Sequence, residues 1–410
     1  MKRVLLIAYY FPPLGGAGIA RPLALWNHLP SNGYECHVLT VKPVAYRVWE
    51  PTLLEGMSLD SIYRSGSSDP QRLMYLLGIR TPSKKAHALG TSTSKWFYPD
   101  NKRGWIRPAT VLGRTLLSNR KYDAIISTSP PISSHVIART LAREFNIPWL
   151  ADFRDKWSVR GLEDIFEGHD RLIQRGNAFL SDIRDTAKRI TTVNRSVAEY
   201  IGTGEVIENS YDSQLVGRWR TRVESPTFNI GLFGTFNVMF PIEPLLQVIA
   251  QLPNRDNEKI RLIQVGDVDK EWLQVQLAKY NLETKCDVLG FQPRRTAIDS
   301  LGNCSMFYMG VASVKELGLT HGRIFTLLAS GRPLIAYTQP KSEVARLIEQ
   351  SGNGLIFGAD SVGYAVEFLR ERVSRFERAP EVFECPPPFA RRFSDTEMVR
   401  RFAELLKKVT

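Results

Sequence analysis

VLLIAYYFPPLGGAG, residues 4–18, is the stretch from which the architecture of this 410-residue chain is read. An unbroken apolar run over residues 4–11 is typical of a strand buried on both faces of a parallel sheet. The run breaks at Pro12-Pro13 and passes into Gly15-Gly16-Ala17-Gly18, where the missing side chains allow close backbone approach to a phosphate. Residues 19–26 can begin a helix whose N-terminal amides face the same point. The strand, the glycine turn and the helix N-terminus together predict an anion site. The alternative is a glycine turn that only connects strand and helix, because the full dinucleotide-binding pattern is missing.

The cysteines and the apolar runs limit the class of protein. Lys2 and Arg3 before the first apolar run resemble a secretory signal. Prolines and glycines cut that run short, however, and a second strand follows at residues 35–40, so we expect no export. No run reaches the roughly 18–20 apolar residues of a membrane span, so we expect a soluble or peripheral protein. No Cys-x-x-Cys pair occurs, which argues against a disulfide framework and a structural zinc site and fits a reducing cytoplasm; the four cysteines are Cys36, Cys286, Cys304 and Cys385.

The net charge of +12 is concentrated in one segment. Residues 71–121 carry eleven Lys and Arg against one acid, Asp100, with Trp96, Phe97, Tyr98 and Trp105 among them. Cations beside aromatic rings suit an anionic lipid surface. A solvated basic insertion is the alternative, and no nucleic-acid-binding motif accompanies the charge.

Strands and helices alternate along most of the chain, in two series. The first series fills an N-terminal domain, 1–212, that carries the basic insertion at about 71–121. One of its strands ends in Asp152-Phe153-Arg154-Asp155-Lys156-Trp157, and the carboxyl ends of parallel strands line a ligand crevice. Two carboxylates around an arginine at this position indicate a catalytic site. An Asp–Arg ion pair that only stabilises a loop would give the same sequence pattern. We expect a long amphipathic helix next, from about residue 162 to 183, with His169 packed on its apolar stripe.

The second series follows a linker at 213–227 and fills a C-terminal domain, 228–385. Its first strand runs into Gly234-Thr235, and a later strand ends at Gly290-Phe291, so it repeats the strand-to-glycine plan of the first domain. Residues 386–410 predict a break at three prolines and a final helix that packs on the core of either domain. We therefore expect an α/β protein of two doubly wound Rossmann-like domains facing each other across a cleft.

Three motifs resemble one known family. They are YYFPPLGGAG at residues 9–18, Asp152-Phe153-Arg154-Asp155-x-Trp157, and RIFTLLASGRPLI at residues 323–335. In this order they resemble the retaining, nucleotide-sugar-dependent glycosyltransferases with two Rossmann-like domains, the family-4-like enzymes of GT-B fold that act in polysaccharide assembly. The resemblance covers nearly the whole chain apart from the basic segment.

The resemblance implies roles for individual residues. Gly15, Gly16 and Gly18 would meet the donor diphosphate from the first domain. The second domain would bind the rest of the donor; the residues concerned are Gly234, Thr235, Gly290, Phe291, Arg323 and Thr326. Asp152, Arg154 and Asp155 would lie on the acceptor side as catalytic residues, where a carboxylate takes the hydroxyl proton or steadies a positively charged sugar. Backbone amides, helix ends and a guanidinium would stabilise the leaving diphosphate without a metal or a further cofactor.

The chain departs from the family at two points. Relatives carry a ribose-binding glutamate five residues before the glycine of the Ala-x-Gly-x-Pro motif, where this chain has Thr326. Relatives also place an arginine and a lysine after the first glycine of the second domain, whereas Gly234 is followed here by Thr235-Phe236-Asn237. Lys315 or His321 could substitute, although His321 would equally serve as an exposed loop residue.

The resemblance and the basic segment together imply an activity. We expect a glycosyltransferase that moves a sugar from a nucleotide donor to a hydroxyl of a lipid-linked saccharide, in the cytoplasm and peripheral to the inner face of the membrane, with an anionic membrane surface and no nucleic acid as partner. Transfer to a soluble small molecule and a non-catalytic nucleotide-sugar-binding module stay open. A sugar epimerase of the same shape is disfavoured, because the Asp152 to Trp157 motif resembles the transferases better.

Overall fold

The computed structural model of the protein describes residues 1–44, 48–69, 72, 76, 98–157, 170–311, 320–379 and 381–410. They divide into two compact units. The first comprises Met1–Asn209 together with Asp395–Thr410, and the second comprises Ser210–Ser394. The last residues of the chain therefore return to the unit in which it begins.

The described part of the first unit contains one sheet of seven strands, all parallel. Its strands are β1 Lys2–Ile7, β2 Tyr34–Val41, β3 Ile62–Ser65, β4 Ala124–Ser129, β5 Trp149–Phe153, β6 Arg189–Thr192 and β7 Glu205–Val206. Their order is β3-β2-β1-β4-β5-β6-β7. The order reverses between β1 and β4, and ligands of such sheets bind outside the carboxyl ends of the strands at this switch point.

Helices cover both faces of this sheet's central strands, which are buried as the apolar runs predicted. They are α1 Ala20–His28, α2 Ile106–Asn119, α3 Ser133–Phe145, α4 Asp170–Thr186 and α5 Arg195–Ile201. Asn146 ends α3 in the left-handed conformation. The predicted helix at 162–183 is confirmed from Asp170 onward; its expected first turns, with His169, lie outside the described residues.

The second unit repeats this plan with six parallel strands among its described residues. They are β8 Phe228–Phe233, β9 Ile260–Val265, β10 Cys286–Gly290, β11 Met306–Gly310, β12 Leu334–Tyr337 and β13 Gly354–Phe357. The order β10-β9-β8-β11-β12-β13 places its switch point between β8 and β11. The helices are α6 Ser213–Val216, α7 Glu243–Ala250, α8 Asn254–Asn257, α9 Lys270–Ala278, α10 Arg294–Ser300, α11 Arg323–Ala329, α12 Glu343–Ser351, α13 Val362–Arg378 and α14 Pro388–Arg391.

The final helix, α15 Asp395–Lys407, packs on the first unit. Met398, Val399, Phe402 and Leu406 are buried in the same cluster as residues of β1 and α1. Burying one such side chain contributes about 1.5–3 kcal/mol. The sequence left open which domain receives this helix, and the structure assigns it to the first.

One element was not anticipated from the sequence. It is β3, most of whose residues are only half-buried and whose sequence carries no clear period. No helix among the described residues is long and apolar enough to cross a membrane.

Candidate active site

The glycine turn of the first unit lies at the carboxyl end of β1 and is fastened to a neighbouring segment. The Gly15 amide donates to the Val48 carbonyl at 3.0 Å, and the Glu50 amide donates to the Pro13 carbonyl at 2.9 Å. A Cβ on Gly15 would lie 2.6 Å from Cγ1 of Val48, so packing alone requires glycine there. Gly16 has a φ of 87°, which also favours glycine. The turn is thus fixed in shape, and its contact with a phosphate stays a prediction.

Arg154 connects the predicted catalytic motif to this turn. Its Nη1 donates to the Gly18 carbonyl at 2.6 Å, its Nε to the Ser129 carbonyl at 2.9 Å and its Nη2 to the Pro130 carbonyl at 3.1 Å. These acceptors belong to the ends of β4 and of the glycine turn, on the two sides of the switch point. Arg154 therefore positions the glycine turn against β4.

Asp152 is buried and surrounded by donors. Its carboxylate is 0% exposed and accepts hydrogen bonds from Nε and Nη2 of Arg21, at 3.0 and 2.7 Å. The hydroxyls of Thr128 and Thr191 donate to it as well, each at 2.7 Å. Burial by itself would raise the pKa of Asp152, but the charge and hydrogen bonds of Arg21 and the two hydroxyls bring it below its usual value. The geometry is that of a positioning carboxylate that is ionised at neutral pH.

Arg21 is a residue that sequence reasoning missed. Besides Asp152, its guanidinium donates to the Glu208 carbonyl at 2.9 Å and lies 4.9 Å from the ring centre of Phe402. It therefore joins α1, β5 and α15. A cation directly before an apolar helical stretch, just after the glycine turn, was the signal available in the sequence.

Asp155 differs from Asp152 in its surroundings. It is half-buried, just past the carboxyl end of β5, and Trp157 follows it. The indole N–H of Trp157 donates to the Pro99 carbonyl at 3.1 Å, and its ring packs on Phe179. Trp157 thus holds the motif in place. The catalytic roles of Asp152, Arg154 and Asp155 stay predictions, and of the two carboxylates Asp155 is the one with exposed surface.

His135 lies in the core beneath this edge of the sheet. Its Nδ1 is 2.7 Å from the hydroxyl of Ser127, which also accepts the indole N–H of Trp149 at 2.7 Å. Its ring is 4.3 Å from that of Phe153. Burial lowers the pKa of His135 to about 3, so the imidazole is neutral at physiological pH.

The ends of the basic insertion are anchored beside the motif. The Asp100 carboxylate accepts the amide and hydroxyl of Ser133, at 2.7 and 2.8 Å, and so caps α3. Asp69 accepts the Tyr9 hydroxyl at 2.8 Å and forms ion pairs with Lys102 and Arg72 at 3.7 and 4.0 Å. Lys102 and Arg72 are both buried. These two of the eleven cations therefore stabilise the fold instead of facing a partner.

The outer face of α2 carries exposed cations. Arg107, Val111 and Arg114 follow Arg103 at helical spacing, and Val111 is 53% exposed. Arg114 pairs with Glu144 at 2.9 Å. We call residues 103, 107, 111 and 114 the basic face; Arg120 and Lys121 extend it beyond the helix. The expected residues Trp96 and Phe97 lie outside the described residues.

In the second unit, three glycines close the carboxyl ends of adjacent strands. Gly234, Gly266 and Gly290 follow or end β8, β9 and β10, with φ of 103°, 137° and 69°. The Gly266 amide donates to the Gly290 carbonyl at 2.8 Å, and a Cβ on Gly266 would lie 2.2 Å from the Gly234 carbonyl oxygen. Phe291, next to Gly290, is 48% exposed. The three turns are therefore in close contact through their backbones, and one exposed aromatic ring follows the last of them.

Arg323, the first residue of α11, contacts the turn at Gly234. Its Nη1 donates to the carbonyls of Phe233 and Thr235, both at 3.1 Å. A Cβ on Gly234 would lie 2.7 Å from Nη1, so this contact too requires glycine. Thr326 is half-buried one helical turn further along α11. The structure therefore brings Gly234, Thr235 and Arg323 together, with Thr326 on the same helix as Arg323.

The residues that were expected to substitute for missing cations have different outcomes. His321 is half-buried and its ring is 5.1 Å from that of Phe240, in an edge-to-face arrangement. Lys315 lies outside the described residues. Within the described ranges, no group of three or more His, Cys, Asp and Glu side chains is placed to hold a metal ion.

At the level of sequence, no family model and no curated protein matches the chain. Among solved structures it is similar to HepE of Anabaena in complex with UDP and glucose, at 15% identity and a TM-score of 0.62 over 100% of both chains. It is similar to sucrose-phosphate synthase from Thermosynechococcus elongatus at 15% identity and a TM-score of 0.60, over 99% of this chain and 95% of that one. The likeness to WaaG, a glycosyltransferase involved in lipopolysaccharide biosynthesis, has 11% identity and a TM-score of 0.55 over 99% of both.

These likenesses extend over both units and agree with the two sheets of matching strand order. The chain therefore has the GT-B fold, built from two Rossmann-like domains.

Proposed function

We propose that the protein is a glycosyltransferase that moves a sugar from a nucleotide-sugar donor to a hydroxyl of a lipid-linked saccharide in cell-surface polysaccharide assembly. One observation supports this most strongly: the glycine turn at the switch point of the second sheet lies against the guanidinium of Arg323. Backbone amides and a guanidinium are the groups that bind a diphosphate. HepE, which is similar in fold, has been solved with UDP and with UDP-glucose.

The residues would divide the reaction between them. The bond from the sugar to the donor phosphate breaks, and the nucleoside diphosphate leaves with the bonding electrons while Arg323 stabilises its charge. The acceptor oxygen bonds to the same carbon, and its proton passes to the carboxylate of Asp155. Asp155 is the carboxylate that we assign to the acceptor side, whereas Asp152 and Arg154 position the edge of the first sheet. Retention of configuration and independence of metal are part of the proposal and follow from the family resemblance.

The lipid-linked acceptor is proposed from the basic face. Its arginines belong to the basic insertion, which is anchored beside Asp155 through Asp100 and Trp157. Cations near an anionic bilayer contribute about 1 kcal/mol each. We therefore place the protein in the cytoplasm, peripheral to the inner face of the membrane.

Thermal shift with nucleoside diphosphates tests the donor part. We expect the nucleoside diphosphate of one base to raise the Tm of the wild-type protein, and Arg323→Ala to abolish that rise. No shift with any nucleoside diphosphate at millimolar concentration would contradict the proposed function.

Liposome flotation tests the acceptor part. Wild type should float with vesicles containing anionic lipid at low salt, and Arg103→Glu with Arg107→Glu should weaken this binding roughly tenfold or more. Arg370→Glu with Arg375→Glu reverses two exposed arginines on α13 of the other domain and is the matched control. Absence of binding at low salt would favour a soluble acceptor.

A further inference from the structure

The guanidinium of Arg323 is held by two aromatic rings of one loop. Its central carbon is 5.5 Å from the ring centre of Phe236 and 5.2 Å from that of Phe240. Both distances are within the range of cation–π attraction, in which the negative face of the ring meets the cation. The Phe233 and Thr235 carbonyls contact the same guanidinium as the two rings.

The loop that carries these rings is itself firmly placed. Phe236 stacks on Tyr308 of β11, with ring centres 6.3 Å apart and planes inclined by 19°. The Tyr308 hydroxyl donates to the Pro241 carbonyl at 2.8 Å. Asn237 closes the tip by accepting the amides of Met239 and Phe240, at 2.9 and 3.1 Å. The loop therefore spans the switch point between β8 and β11 in one fixed conformation.

We propose that Phe236 and Phe240 are positioning residues that present the Arg323 guanidinium to the diphosphate of a bound nucleotide. The inference rests on the proposed function and explains the lack of a second cation after Gly234. Aromatic rings attract a guanidinium through its charge and do not neutralise it.

A second arginine of the same domain shows the contrast. Arg332 also lies between two rings, at 5.0 Å from Trp219 and 5.1 Å from Phe383. It is 1% exposed, and its N–H groups donate to carbonyls, including that of Cys304 at 2.6 Å. Arg332 therefore serves the fold, whereas Arg323 is only half-buried and lies at the ligand edge of the sheet.

Calorimetric titration of Phe240 variants tests the proposal. Phe240→Leu removes a ring, Phe240→Tyr keeps one, and Phe389→Leu removes the ring that lies 4.5 Å from Arg392 in the same domain. Each variant is titrated with a nucleoside diphosphate and with the matching uncharged nucleoside. We expect Phe240→Leu to weaken diphosphate binding roughly 3- to 10-fold and to leave nucleoside binding unchanged. Phe240→Tyr and Phe389→Leu should bind both ligands as wild type does.

The outcomes separate the inference from the proposed function. Wild-type diphosphate affinity in Phe240→Leu, or equal loss for diphosphate and nucleoside, would overturn the positioning role and leave the function standing. A wild-type protein that binds no nucleoside diphosphate would overturn the function itself. If the leucine variant does not fold, Phe240→Met repeats the test, because methionine keeps the apolar bulk without a ring.

Discussion

Replacing Asp152 by asparagine distinguishes a positioning carboxylate from one that acts on substrate. The side chain is fully buried, and its two oxygens accept four hydrogen bonds, two of them from Arg21. The amide keeps the shape but removes the charge that balances Arg21. Because one ion then stays buried without compensation, we expect the first domain to lose about 3–5 kcal/mol of stability.

Native-state hydrogen exchange measures this loss in the domain concerned. Two domains need not unfold together, so exchange of peptides from β5 and α1, resolved by mass spectrometry, is preferable to a single global transition. A loss of about 3–5 kcal/mol raises their opening constant by roughly two to three and a half powers of ten. The double variant Arg21→Met, Asp152→Leu should recover much of the protection, because an apolar pair replaces the buried ions.

The same pair makes a prediction for pH. The pKa of Asp152 is lowered in the folded protein, so its contribution is complete above the unfolded value of about 4 and is lost as pH falls through the folded value. Below pH 4, wild type should therefore lose protection more steeply than Asp152→Asn. Undiminished protection in Asp152→Asn, combined with loss of sugar transfer, would refute the positioning role.

Three further predictions concern other residues of the two domains. Asp155→Asn should lower the rate of transfer by about 10²- to 10⁴-fold while nucleotide affinity, measured by calorimetry, stays unchanged; an active variant would remove Asp155 from the mechanism. Gly234→Ala should cost about 1–3 kcal/mol by thermal unfolding, because its φ is 103°, and should weaken diphosphate binding; Gly363→Ala, in open space on α13, should not destabilise. The pKa of His135 is lowered to about 3, so the free energy of unfolding of wild type should fall as the pH drops below about 6.5, by up to about 1.4 kcal/mol per pH unit. In urea unfolding, His135→Gln should lose less stability over the same pH range. Equal slopes for the two proteins would contradict the buried neutral imidazole.

The sequence predicted the fold where strands are buried on both faces. The apolar run that begins at Val4 coincides with the buried part of β1, because burial on both faces demands continuous apolar sequence. β3 was missed, because a short, half-buried strand at the edge of the sheet does not require a continuous apolar sequence.

The site was predicted only as far as local sequence reaches. The position of the motif at the end of β5 follows from its place after an apolar run, and the structure agrees. The partner of Asp152 does not follow, because Arg21 lies 131 positions away and meets it only through tertiary packing. Phe236 was interpreted as a lost cation, whereas in the structure its ring holds Arg323. Contacts between distant segments, which decide such roles, leave no periodic signal in a single sequence.

Incubation of the purified protein with a panel of nucleotide sugars and a lipid extract tests the central claim most directly. Mass spectrometry then follows both products. We predict that one donor is consumed, that nucleoside diphosphate appears in equal amount with a lipid-linked product heavier by one glycosyl residue, and that Asp155→Asn forms neither. The account would be contradicted if wild type binds a nucleotide sugar but consumes no donor faster than Asp155→Asn does.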